Sequence, residues 1–106
     1  MSVRRLCNAV ERDLREMLRA VVFELNSAVT WETVRGAADH YLHGLWRQGA
    51  LQGEAVEHAY FVSIGPGVTM RAEDITDGWL VLKVGVAAVR PAEFIVLELT
   101  QDGMAG

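Results

Sequence analysis

Few side chains in this sequence are spaced for chemistry. His40 and His43 fall about one helical turn apart, beside Asp39. That spacing can present two imidazoles to one metal ion. Helical phasing puts both on the polar side and no cysteine lies near them, so they read as surface polar residues. Gly65-Pro66-Gly67 is glycine-dense. It lacks the Gly-x-x-x-x-Gly-Lys-Ser/Thr spacing that lets backbone N–H groups cradle a phosphate, which leaves a turn. Glu73, Asp74 and Asp77 form a small acidic cluster that helix capping and turn formation explain. No serine has the context of a nucleophile elbow, and no two carboxylates share a recognisable acid–base motif. These residues imply no catalytic group, no metal and no cofactor. A small hydrolase or metal enzyme is the weakest reading they allow, and metal content would discriminate it.

Charge carries a stronger signal. Arg4, Arg5, Arg12, Arg15 and Arg19 fall within an arc of about 100° on one helix, beside its apolar face. In a chain of net charge −4 this is a concentrated basic stripe. It suits docking on an acidic protein surface, steered electrostatically. The competing reading is a solvated face, neutralised in part by Glu11–Arg15 and Arg12–Glu16 pairs at i,i+4. The acidic balance argues against a nucleic-acid partner, since proteins that bind nucleic acid usually carry a basic excess.

The helix bearing these arginines follows from apolar spacing. Val3, Leu6, Cys7, Val10, Leu14, Met17, Leu18 and Val21 recur every three or four residues, which predicts an amphipathic helix from residue 3 to about 20. The β-branched and aromatic run from Val21 to Asn26 predicts an extended connection. A second helix is expected from Thr30, a good N-cap, with Glu32 at the positive end of its dipole. Trp31, Val34, Ala38, Tyr41, Leu42, Leu45 and Trp46 form its apolar face. Gly49 is placed to end it in a left-handed cap, and Ala50 to Glu57 reads as a loop.

Three strands follow, from His58 to Ile64, Trp79 to Val89 and Phe94 to Thr100. A helical turn at Ala72–Asp77 separates the first two, and Gly85 suggests a bulge or bend in the second. The fold class is α+β: two amphipathic helices on one face of a small mixed or antiparallel sheet, with open edges for strand addition. Residues 1–101 form one domain and Asp102–Gly106 a disordered, frayed tail. Trp31, Trp46 and Trp79 are expected in the core. The single cysteine, Cys7, is expected to pack in it too. No apolar run approaches the roughly 20 residues that cross a bilayer, and no membrane partner is expected. The segment after Arg4-Arg5 is charged throughout, unlike a signal peptide, and the chain is expected to be cytoplasmic at synthesis.

The last strand is apolar and lacks the lysine or proline that blunts an edge. Phe94, Ile95, Val96, Leu97, Glu98 and Leu99 are therefore the candidate residues for subunit–subunit contact by strand addition. The alternative is an ordinary hairpin with the preceding strand, and a strand with two edges can do both.

Five segments, in order, resemble the C-terminal domain of contractile phage tail sheath proteins, including those of contractile bacteriocins. They are Val3-Arg4-Arg5-Leu6, Val22-Phe23-Glu24-Leu25-Asn26, Leu45-Trp46-Arg47-Gln48-Gly49-Ala50-Leu51-Gln52-Gly53, Ala59-Tyr60-Phe61-Val62, and Val84-Gly85-Val86-Ala87-Ala88-Val89-Arg90-Pro91-Ala92-Glu93-Phe94-Ile95-Val96. Family members often have proline where this chain has Leu25 and Ala88, so local turns differ. They are also several times longer, with outer domains and an N-terminal arm before this domain. The chain is accordingly expected to be a stand-alone short gene, a prophage remnant or a truncated form. The resemblance implies a structural, non-enzymatic role in a polymer of stacked rings around an inner tube. Its implied partners are copies of itself, the tail tube protein and baseplate proteins. The implied location is the virion tail, with assembly in the host cytoplasm. The basic stripe would then face the tube. An alternative within the same machine is a short baseplate wedge protein of the tail-lysozyme-like family, which starts sheath assembly.

Overall fold

Helix α1 spans Val3–Arg19 and is set by one row of side chains. Leu6, Val10, Leu14 and Leu18 recur at i,i+4 and all are buried. Burying each against the sheet is worth about 1.5–3 kcal/mol. The Ser2 hydroxyl accepts the Arg5 N–H at 3.1 Å and caps the first turn. The computed structural model describes residues 2–105.

Helix α2 spans Ala28–Arg47 and buries Thr30, Val34, Ala38 and Leu42. Its N-cap is the extended Ser27, three residues before the cap expected at Thr30. Thr30 fails as a cap because it lies on the buried row, inside the first turn. Gly49 does end the helix: its φ is +85°, its N–H bonds the Trp46 carbonyl, and the Ala50 N–H bonds that of Leu45. This pair of bonds is a Schellman closure, which needs a residue tolerant of the left-handed region. The Val21–Asn26 connection makes turns and one isolated bridge, not an extended run.

A helical turn, α3 (Val56–Ala59), replaces the start of the expected first strand, so β1 is only Tyr60–Ser63. The short α4 covers Ala72–Thr76; β2 is Leu80–Val86 and β3 is Ile95–Gln101. The three strands form an antiparallel sheet in the order β1-β2-β3. The fold is therefore α+β, as expected, and both long helices pack into one core on one sheet face. The inward row is clearest in the central strand β2, where Leu80, Leu82, Val84 and Val86 alternate along one face and are all fully buried.

Gly85 makes no bulge, since the register with Phe61 and Val96 is unbroken. It is a close approach instead. A Cβ on Gly85 would sit 2.0 Å from Cε2 of Phe61, whose ring stands edge-on to Phe94. The tail also departs from expectation within the described residues. Met104 is 5% exposed and its N–H bonds the Gly78 carbonyl at 3.0 Å, while Ala105 bridges Leu25. An apolar side chain within reach of the core holds residues that composition alone reads as frayed. Gly106 lies outside the described residues, as does Met1.

Candidate assembly interface

The outer edge of β3 is the first candidate surface. The Ala87 N–H bonds the Ala59 carbonyl at 2.9 Å, one register step beyond the Tyr60–Val86 pair. Antiparallel pairing alternates bonded and non-bonded positions. Val86, Val84, Leu82 and Leu80 must then direct their main chain to β3, and so bond Ile95, Leu97, Leu99 and Gln101. The amides and carbonyls of Val96, Glu98 and Thr100 are left pointing away from β2. Among the described residues no strand pairs with them.

Side chains divide the six predicted contact residues in the same way. Ile95, Leu97 and Leu99 face the helices, whereas Val96 is 51% exposed and Glu98 is exposed, with Lys83 Nζ 3.9 Å from its carboxylate. Phe94 precedes the strand and meets Phe61 edge-on. The free edge thus belongs to alternate residues, and Thr100, one position past the expected set, is part of it.

The basic face of α1 is the second candidate. Arg4, Arg5, Arg12, Arg15 and Arg19 are all exposed along it. The Glu11–Arg15 pair forms at 2.7 Å. Arg12 pairs with Asp13 at 3.2 Å, not with Glu16. Asp13 also accepts the Tyr41 hydroxyl of α2, a bond that draws its carboxyl below the ordinary carboxylate value, with Arg12 adding to the effect. Burial and the same contact push Tyr41 upward.

The remaining chemical candidates resolve into structure. His43 is half-buried, not solvated: its ring meets Trp46 edge-on and Nδ1 lies 3.3 Å from the Tyr60 hydroxyl. Burial, then the charge of Asp39, push Tyr60 up to about 12. His40 stays exposed. Among the described residues, no group of three or more His, Cys, Asp and Glu side chains is placed to hold a metal. Among the described residues, no helix is long and apolar enough to cross a membrane. Asp74 accepts the Arg71 N–H at the start of α4, and the Gly65 carbonyl accepts the amides of Thr69 and Met70 in a tight turn. Cys7 is half-buried, and desolvation raises its thiol pKa.

Of the tryptophans, Trp31 and Trp46 are half-buried and Trp79 is 40% exposed, outside the core. Trp79 begins the apolar run of β2 but lies beyond its paired part. Sequence reasoning missed Asn26. It is buried, donates from Nδ2 to the Trp79 carbonyl and from its own N–H to that of Ala105, and accepts the Trp31 indole N–H. The only sequence signal was a polar residue closing an apolar run.

A model of the phage tail sheath C-terminal domain matches residues 1–101. The chain belongs to that family. This agrees with the resemblance carried by the five segments. Among solved structures, this sheath-family chain is similar to one in the cryo-EM structure of the anti-feeding prophage (AFP) baseplate, 6-fold symmetrised. The identity is 54% over 94% of this chain and 28% of that one, with a TM-score of 0.79. It is 55% identical to a chain of an extracellular contractile injection system, the PVC sheath complex in the contracted state, over 94% and 28% of the two chains, with a TM-score of 0.78. A chain of the AFP baseplate in the contracted state is 38% identical over 91% and 25%, with a TM-score of 0.76. A comparison with curated proteins finds no match. The sheath-family chain thus spans little more than a quarter of the first two relatives.

Proposed function

We propose that this chain is a structural, non-enzymatic component of a contractile phage-type tail. It acts as a sheath C-terminal domain that joins copies of itself by strand addition and docks on the inner tube through α1. The observation that carries the reading is the unpaired outer edge of β3, whose exposed main-chain groups are those of Val96, Glu98 and Thr100. Unsatisfied edge groups template another strand, and main-chain bonds supply the affinity while alternate side chains supply fit. Family membership and the similarity to sheath and baseplate assemblies support the same role.

Proline substitution tests it. Glu98→Pro and Thr100→Pro each remove an outward N–H and leave the inward ladder intact, which an edge strand tolerates. Light scattering should show the parent protein associating as concentration rises, and both variants should fold with native circular dichroism yet lose that association. Association equal to the parent protein's in both folded variants would end the strand-addition reading.

A second reading is a short baseplate protein that starts sheath assembly. It is favoured by the similarity to chains in two AFP baseplate structures. Under it, association would stop at a closed ring as concentration rises, whereas a sheath component would keep growing.

A further inference from the structure

The basic face of α1 is not uniform, and its pairing divides it. Arg12 and Arg15 are held by Asp13 and Glu11. Asp13 is fixed in turn by Tyr41, so it stays beside Arg12. From Glu11 to Glu16, two arginines stand among three carboxylates, and the middle of the helix carries a net negative charge. Among the described residues, Arg4 and Arg5 at one end and Arg19 at the other have no ion-pair partner. All three are exposed. Arg5 and Arg19 are fourteen residues apart in one helix, a separation of about 21 Å along the axis.

We infer that α1 recognises its acidic protein partner at two points, Arg4/Arg5 and Arg19, and not through a continuous stripe. The partner it fits presents two clusters of carboxylates about 21 Å apart, with none facing the stretch between Glu11 and Glu16. Charge complementarity selects that pattern. An acidic group opposite the middle would meet Glu11 and Glu16 before any unpaired guanidinium, and like charges held across an interface are costly. This inference rests on the docking role proposed above and specifies which arginines perform it.

The test measures affinity for the assembled tail tube of the same injection system by co-sedimentation, at low and moderate salt. Three variants are compared, each at surface positions and each checked for native circular dichroism: Arg4→Ala with Arg5→Ala, Arg19→Ala, and Glu11→Ala with Arg15→Ala, which removes one ion pair and leaves the net charge of the middle unchanged. The first should weaken binding about tenfold and the second about threefold, while the third changes it less than about twofold. A loss in the third as large as in the first would overturn the two-point pattern and leave tube docking standing. No loss in any variant would remove the docking role and this inference with it. Duplex DNA bound at the same salt, with the same dependence on Arg4 and Arg5, would overturn the assignment to carboxylates.

Discussion

The ring of Phe61 occupies the space where Gly85 would otherwise carry a side chain. The two residues are direct partners across β1 and β2, and the ring is held further by its edge contact with Phe94, centroids 5.2 Å apart. Gly85→Ala should therefore destabilise the domain by about 1–3 kcal/mol, the usual range for forced overpacking. Combining it with Phe61→Ala should cost at least about 1 kcal/mol less than the sum of the single changes. Urea unfolding of the four proteins measures both. Simple additivity would show that the ring yields freely.

Asn26→Ala should cost about 1–3 kcal/mol, because it leaves the Trp31 indole N–H and the Trp79 carbonyl without partners. Asn26→Asp keeps the acceptor but loses the donor and sets a negative charge against a carbonyl, so it should be no milder. Denaturation midpoints compare them. The fluorescence of Trp31 should shift in both.

Tyr41→Phe should cost about 1 kcal/mol at neutral pH, given that Asp13 is partly solvated. Its pH dependence is the sharper readout. Asp13 is depressed in the folded state, so its contribution is present above the ordinary 3.8 and lost as pH falls through the lower folded value. Tyr41 is raised, so its contribution is present below 10.0 and lost as pH climbs past it. The gap between parent and variant should be flat from about pH 5 to 9 and close at both extremes.

Phe23→Ser should leave stability within about 0.5 kcal/mol of the parent, because the ring is 95% exposed. Leu14→Ala, at a fully buried position of α1, should cost about 2–5 kcal/mol. Thermal melts of the two variants place surface and core on one scale.

Periodicity was enough to find both helices, since Leu6, Val10, Leu14 and Leu18 mark α1, and Val34, Ala38 and Leu42 mark α2. Gly49 was legible because a left-handed cap has a local cause. What escaped was set by contacts distant in sequence. Trp79 looks like core but lies past the paired strand. His43 phases with the polar side, yet Tyr60 and Trp46 enclose it. Met104 is a lone apolar residue among small ones, and only the turn at Gly78 gives it a place. For the candidate interface, the arginine positions and the Glu11–Arg15 pair were legible, but the partner of Arg12 was not, because Tyr41 orients Asp13 from another helix. The final strand was legible, while the alternation that frees Val96, Glu98 and Thr100 depends on the register with β2.

Asn26 binds the inter-helix connection to both the entrance of β2 and the end of the chain. A segment stitched down in this way has no freedom to act as a hinge. Force applied to one helix is passed directly to the sheet, so the unit travels as one block, and any change of shape in a larger assembly must be taken up between blocks.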